Sequence, residues 1–331
     1  MNTVNIALFG FGTVGSNLAK MIIQNNKILE EKSNKKINLK YILVRNKKTA
    51  LEKAKKLHLN ISENVFTENQ DDIWNDSKIN CIIELIGGTK IAKDITMNAI
   101  ESKNITNFIT ANKAILAEFG NKIFEKAKQN NVKIGFEASV AGGIPIIQTL
   151  QNHFAIGEIT KIEGILNGTC NYMLSNLENN SNLSYNEVLK DAQEKGFAEA
   201  NPSADVDGWD TAAKISILSS ICFNTKIEKM AGFSVIGISK ITSEKILEAK
   251  KQNKKIRLIA SAEKIKDKLK NEIKLEVKPQ EITEKSMFYS VNGPDNMIII
   301  HHEYLGEITL KGAGAGGEAT AMSIISDIIN I

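Results

Sequence analysis

The chain has 331 residues, with 42 Lys and Arg against 38 Asp and Glu and a formal charge of +4, which gives no electrostatic case for a nucleic-acid groove or a membrane-surface protein. At 42% hydrophobic and 24% charged it has ordinary globular composition, and a chain of this length usually divides into two domains, each with its own core. The scattered cysteines Cys81, Cys170 and Cys222 make neither a disulfide framework nor a paired metal spacing, no charged leader and apolar targeting segment precedes the first apolar run, and no such run approaches the ~18 residues that cross a bilayer, so a cytoplasmic, soluble, reduced protein is expected.

In chain order, apolar bursts of strand length fall at residues 4–9, 37–44, 81–86, 107–110 and 132–136. Stretches with helical periodicity separate them. Val14, Leu18, Met21, Ile22 and Leu29 share one face, as do Ile115, Leu116, Phe119, Ile123 and Ala127. Strand alternating with helix predicts an α/β domain built on a doubly wound, Rossmann-like parallel sheet. After Ala141-Gly142-Gly143-Ile144-Pro145 the pattern changes. A short helix, a strand over 156–165, helices over 184–195 and 208–223, strands over 256–262, 273–277, 297–301 and 307–310, and a last helix over 319–329 are expected. Strands in a run after helices predict a second, α+β domain with an antiparallel sheet. No internal repeat or low-complexity linker interrupts the chain.

Gly10-Phe11-Gly12-Thr13-Val14-Gly15 matches G-x-G-x-x-G between a predicted strand and a predicted helix. In that setting the motif has mechanical meaning. Gly10 permits the tight turn, Gly12 lets a pyrophosphate approach the backbone, and Gly15 lets helix and strand pack closely. The helix N-terminus adds free N–H groups and partial positive charge. The bland alternative is a glycine-rich turn. The second strand runs into Arg45-Asn46-Lys47-Lys48 with no acid in that stretch. A guanidinium suits a ribose 2′-phosphate, so NADP is favoured over NAD, against the alternative of a solvated basic turn.

Several separated segments, taken together, resemble homoserine dehydrogenase. They are Glu84-Leu85-Ile86-Gly87-Gly88, Thr110-Ala111-Asn112-Lys113, the run from Phe136 to Pro145, Gly164-Ile165-Leu166-Asn167-Gly168-Thr169, the run from Gly196 through Pro202 and Asp205-Val206-Asp207-Gly208-Trp209-Asp210 to Lys214, and the terminal loop Gly312–Gly317. The resemblance covers essentially the whole chain. It implies reversible NAD(P)H-dependent reduction of L-aspartate 4-semialdehyde to L-homoserine, on the route to threonine, methionine and isoleucine. It implies a dinucleotide-binding domain over residues 1–138 with 312–331, and a substrate-binding and dimerisation domain over 139–311, in a homodimer. A fused aspartate kinase or C-terminal regulatory domain, found in some members, has no room here, so feedback by threonine through one is not expected.

Such a reaction needs a hydride donor, a proton donor at the carbonyl oxygen and charges that fix the substrate. Of the four histidines, His301 and His302 fall in a presumed strand, while His58 and His153 carry no motif. A lysine whose pKa can be lowered is the better proton donor. Lys113 follows the fourth predicted strand, and the resemblance puts it beside nicotinamide and substrate. Alone it reads as the solvated first turn of a helix. Lys214 lies four residues after Asp210 on one helix face. By itself that is an exposed ion pair, with Asp207 as N-cap, but it leaves the density of Glu199, Asp205, Asp207 and Asp210 unexplained. By resemblance Glu199, Asp205, Asp210 and Lys113 bind substrate, Lys214 donates the proton with Lys113 as partner, and Gly88, Gly196 and Gly316 join the cofactor contacts. Trp209 and Ile215 are expected to face the core. The family also implies a monovalent cation such as sodium, held by Glu137 and the carbonyls of Val140, Gly142 and Ile144, against the alternative of a buried glutamate at the domain joint. Asn201 stands where the family often has aspartate, and Cys170 where threonine is more usual. Cys170 reads as a small buried thiol. The rival readings are a semialdehyde dehydrogenase with a nucleophilic cysteine, which needs a histidine base, and a nucleotide-binding redox sensor without turnover.

Overall fold

The computed structural model describes residues 2–180, 183–229, 232–266 and 271–331. The chain forms two compact units, Met1–Gly143 with Gly316–Ile331, and Ile144–Ala315.

The first unit alternates β1 (Asn2–Phe9), α1 (Thr13–Gln24), α2 (Asn26–Ser33), β2 (Lys35–Leu43), α3 (Lys47–Lys56), β3 (Phe66–Thr67), α4 (Asp71–Trp74), β4 (Cys81–Glu84), α5 (Lys90–Glu101), β5 (Asn107–Thr110), α6 (Lys113–Gln129) and β6 (Lys133–Gly135). The strands pair in parallel in the order β3-β2-β1-β4-β5-β6. The strand order reverses between β1 and its neighbours β2 and β4, which opens a crevice at their carboxyl ends. Ile6, Leu8, Ile83 and Ile109 from the strands, and Leu18, Ala19 and Ile22 from α1, bury the core of this unit. The apolar face expected to run unbroken to Leu29 is divided into two helices. Asn25 lies between them with φ −119° and ψ 19°, and its amide donates to the Met21 carbonyl, a local bond that competes with helix continuation.

The second unit contains α7 (Ile146–Asn152), β7 (Ile159–Ile165), α8 (Gly168–Asn179), α9 (Tyr185–Glu194), α10 (Ser203–Val206), α11 (Trp209–Cys222), β8 (Ser234–Val235), α12 (Ser243–Lys251), β9 (Lys254–Lys266), β10 (Asn271–Thr283), β11 (Asp295–His302) and β12 (Gly306–Ala313). Its sheet has the order β12-β11-β7-β9-β10-β8. All neighbours are antiparallel except β10 with the two-residue β8, so the sheet is mixed by one short edge. Helix α8 was not legible in the sequence. Residues 169–175 are buried without interruption, so the helix has no polar face to betray its period. The final helix, α13 (Gly317–Asn330), belongs to the first unit, where Ala321, Ile324, Ile325 and Ile328 complete the same core as α1.

Candidate active site

In the first unit the Gly10–Gly15 loop crosses from β1 into α1. Gly10 adopts φ +109°, and a Cβ there would stand 2.8 Å from the Leu85 carbonyl oxygen. A Cβ on Gly15 would come within 2.2 Å of the Gly10 carbonyl oxygen, so both positions exclude any side chain. At Gly12 the reverse holds, since a Cβ would meet nothing within 4 Å. Gly12 is also the N-cap of α1 and offers no side-chain cap, which leaves the first-turn N–H groups of Thr13, Val14 and Gly15 facing outward from the loop. Beside the loop lies a cavity of about 670 Å³ whose lining includes Gly10, Phe11, Gly12, Arg45 and the apolar Ile86, Ile91 and Ile95. This is a fit for a dinucleotide: a bare backbone cradle for phosphate, a cationic rim and an apolar wall for a base.

Two cavity residues escaped the sequence reading. Lys53, from the last turns of α3, donates to the Phe11 carbonyl at 3.0 Å and lies 5.6 Å above the Phe11 ring, and partial burial lowers its pKa. Glu68, just beyond β3, accepts the Lys47 N–H at 2.5 Å. Neither has a motif, because each reaches the loop from a different strand–helix unit.

At the carboxyl ends of β4 and β5 a buried network fixes the loops. The Glu84 carboxylate, fully buried, accepts from the Ile86 and Gly87 N–H groups at 2.7 and 3.0 Å and from the Thr110 hydroxyl at 2.8 Å. The Thr110 oxygen in turn accepts the Asn112 N–H, and the Asn112 amide donates to the Gly88 carbonyl at 2.7 Å. Asn112 also caps α6 by accepting from Ala114 and Ile115, which sets Lys113 as the first residue of that helix, at the carboxyl edge of the sheet. Gly87 and Gly88 both adopt positive φ to make this turn.

In the second unit the acids and the lysine converge. Lys214 is 8% exposed, and its ammonium meets Asp210 Oδ2 at 2.8 Å and the Leu166 carbonyl at 2.7 Å. Asn167, which follows β7, uses its amide to donate to Asp205 Oδ1 at 2.7 Å and Asp210 Oδ2 at 2.9 Å, while its oxygen accepts from the Cys170 N–H and caps α8. So the sequence-predicted Asp205, Asp210 and Lys214 are brought together, and the residue that joins them is Asn167, to which the sequence assigned no role. An N-cap pattern was its one local signal. Glu199 is exposed on the loop after α9 and lies outside this network, although its carbonyl accepts from the Gln193 amide. Gly196 ends α9 with φ +76°, and Gly316 leads into α13 with φ +124°.

Four expectations about side chains meet the structure here. Ile215 is fully buried, but Trp209 is 45% exposed at the start of α11 and does not face the core. The N-cap of α11 is Gly208 with φ +88° and no side-chain cap, so Asp207 does not cap it; instead Asp207 ends α10. Asn201 accepts from the Ser203 N–H and hydroxyl and so serves the turn into α10. Cys170 is fully buried, its thiol donates to the Asp205 carbonyl at 3.2 Å, and burial first, then the nearby Asp205 and Asp210 charges, push its pKa well above the usual thiol value. A thiol so held is not a nucleophile. His301 bonds Glu163 Oε1 at 2.9 Å and the buried His302 stacks on Phe154, so neither histidine ring is directed at Cys170.

At the residues implied for a cation, Glu137 is buried with its N–H bonded to Asp327 Oδ2, the Gly142 carbonyl accepts from the Ser323 hydroxyl at 2.6 Å, and Ala141 and Gly142 both adopt positive φ. Among the described residues no group of three or more His, Cys, Asp or Glu is placed to hold a metal. A set of one carboxylate and main-chain carbonyls suits only a hard cation.

Comparison with known proteins gives a consistent result. A family model described as homoserine dehydrogenase matches residues 145–329, and one described as homoserine dehydrogenase, NAD binding domain, matches residues 10–137. Homoserine dehydrogenase of Bacillus subtilis (strain 168) is 34% identical over 331 residues, spanning 100% of this chain and 73% of its own. The crystal structure of a homoserine dehydrogenase from Thiobacillus denitrificans superposes with TM-score 0.91 at 34% identity, covering 100% of this chain and 73% of that one. A hyperthermophilic archaeal homoserine dehydrogenase in complex with NADPH superposes with TM-score 0.78 at 26% identity, covering 99% and 97%.

Proposed function

The chain belongs to the homoserine dehydrogenase family, an NAD(P)-dependent oxidoreductase acting on a CH–OH group, and from that premise we propose how its residues divide the reversible reduction of L-aspartate 4-semialdehyde to L-homoserine. The observation that carries the reading is the environment of Lys214. An ammonium has three N–H donors, and Asp210 and the Leu166 carbonyl take two of them, which holds the third in a fixed direction. That donor hydrogen-bonds the aldehyde oxygen and delivers its proton as the alcohol forms; in the oxidation direction the neutral amine takes the proton back. Asp210 orients the amine, and Asp205, held through Asn167, supplies negative charge for the substrate ammonium together with Glu199. Lys113, at the edge of the first sheet, is the second substrate- and cofactor-contacting amine.

When bound, NADPH or NADH supplies the hydride. Gly10, Phe11, Gly12, Thr13, Val14 and Gly15 would hold its pyrophosphate, with Gly88, Gly196 and Gly316 as further backbone contacts. Arg45, which lines the same cavity, would read the 2′-phosphate and so favour NADP. Glu137 and the carbonyls of Val140, Gly142 and Ile144 would hold a monovalent cation such as sodium in a structural role. The protein works in the cytoplasm as a homodimer; among the described residues no helix is long and apolar enough to cross a membrane. Incubation with homoserine and NADP at alkaline pH, followed by the absorbance of reduced cofactor, tests the function. Turnover is expected, and its absence with both NADP and NAD defeats the reading.

A further inference from the structure

We propose that Glu68 is the residue that limits discrimination between NADP and NAD, by holding a carboxylate where the 2′-phosphate of NADP must be received. The proposal deepens the cofactor reading above and rests on it. Three observations converge. The turn after β2 that reads as basic in sequence, Arg45-Asn46-Lys47-Lys48, is less basic in space. Glu68 Oε1 accepts the Lys47 main-chain N–H at 2.5 Å, and Glu63 lies 3.8 Å from the Lys47 ammonium. Lys47 is the first residue of α3, and Asn46 caps that helix through the Thr49 N–H, so the N–H at which an anion gains most from the helix terminus is already matched to a carboxylate. Finally, Arg45, Asn46, Lys53 and Glu68 line the same cavity as Gly10 and Gly12. The wall that receives the adenosine ribose therefore carries cations and a carboxylate together.

The two charges act on the two cofactors in opposite senses. A 2′-phosphate is drawn by Arg45 and Lys53 and repelled by Glu68. A ribose 2′-hydroxyl is indifferent to the cations and can donate a hydrogen bond to the Glu68 oxygen that does not serve Lys47. Such a site admits both cofactors, and Glu68 is the element that keeps NAD in play. The alternative is that Glu68 only caps α3.

Glu68→Gln separates the two, because an amide oxygen still accepts the Lys47 N–H while the charge is gone. The probes are 2′,5′-ADP and 5′-AMP, whose binding is measured by calorimetry on the whole chain, so the result does not depend on turnover of homoserine. The substitution is expected to tighten 2′,5′-ADP by about fivefold, the order set by one charge acting at a few ångströms through water, and to leave 5′-AMP unchanged or weaker. Equal change for both probes, or none for either, overturns the proposal and leaves Glu68 as a cap. Arg45→Ala is measured beside it. Loss of 2′,5′-ADP binding alone keeps the 2′-phosphate at this turn. If that substitution leaves 2′,5′-ADP untouched, the phosphate is received elsewhere and the proposal falls with the cofactor reading, whereas a negative Glu68→Gln result with a positive Arg45→Ala result removes only Glu68.

Discussion

The glycine loop of the first unit and the Asp210–Lys214 helix of the second solve opposite problems. The loop works by what it omits: side chains are excluded at Gly10 and Gly15 so that backbone N–H groups border an open space. The helix works by what it encloses, since Asp210 and Lys214 lie within an unbroken run of buried residues from Asp210 to Ser219 and are admitted only because each satisfies the other. An open site built of backbone tolerates the loss of a contact but not the gain of an atom. A closed site built of ions does not survive the loss of a contact, because the remaining charge is left buried without its partner.

Substitutions sharpen that contrast. The largest effect is expected from Lys214→Ala, which removes the proton donor and leaves Asp210 buried with one partner fewer; turnover should fall by at least about a hundredfold, measured as kcat at saturating cofactor. Retention of full activity would remove Lys214 from the chemistry. Next comes a pair in the loop. Gly15→Ala drives a Cβ against the Gly10 carbonyl and should lower the stability of the first unit by about 1–3 kcal/mol, read from thermal unfolding. Gly12→Ala should leave the melting temperature nearly unchanged yet weaken NADPH binding, because its methyl enters only the space the phosphates need. If the two substitutions behave alike, the loop is a packing feature and not a cradle. Cys170→Ser should leave turnover intact, since a hydroxyl can make the same bond to the Asp205 carbonyl; abolished turnover would favour a mechanism through a covalent thiohemiacetal.

The smallest expected effect lies away from both sites. The Asp76 carboxylate is paired with Lys40 and accepts from the Lys78 N–H and the Tyr41 hydroxyl, and chiefly the Lys40 bond holds its pKa below the usual carboxylate value. A lowered folded-state pKa stabilises the fold above the unfolded value of about 4 and loses that contribution as the pH falls through the lower folded value. Asp76→Asn should flatten this part of the acid-unfolding profile by about 1 kcal/mol or less, as partly exposed pairs do. An unchanged profile would show that the pair contributes nothing.

How much of this was legible in sequence follows from the same contrast. The first site was readable because its information is local: six consecutive residues between a strand and a helix state the geometry. Its modifiers Lys53 and Glu68 were not, since the distance between them along the chain is closed only by the parallel sheet. In the second unit the acids and Lys214 were visible as a cluster, but their organiser Asn167 sits 43 residues before Asp210 and resembles any helix cap. Helix α8 was missed for a related reason, whereas α11 was expected over 208–223 from its acidic start although it too is almost entirely buried. Helix α8 is wrapped on nearly all sides, so amphipathic periodicity, the signal on which sequence reading depends, is largely absent. Trp209 shows the converse error. Its ring was expected to face the core, whereas it is exposed at the first position of α11.

The last helix gives the molecule an order of assembly. Leu18 and Ile22 share their hydrophobic cluster with residues of α13, which follows the whole second unit in the chain, so that unit is made in between. At a synthesis rate of about 5–20 residues per second, the ribosome takes roughly ten to thirty seconds to translate that intervening stretch. Throughout that interval the nascent nucleotide fold has an oily flank with no cover, while the contiguous second unit has every residue it needs. Biogenesis therefore runs out of register with the numbering, and chaperone demand should peak on the N-terminal segment long after it has left the tunnel.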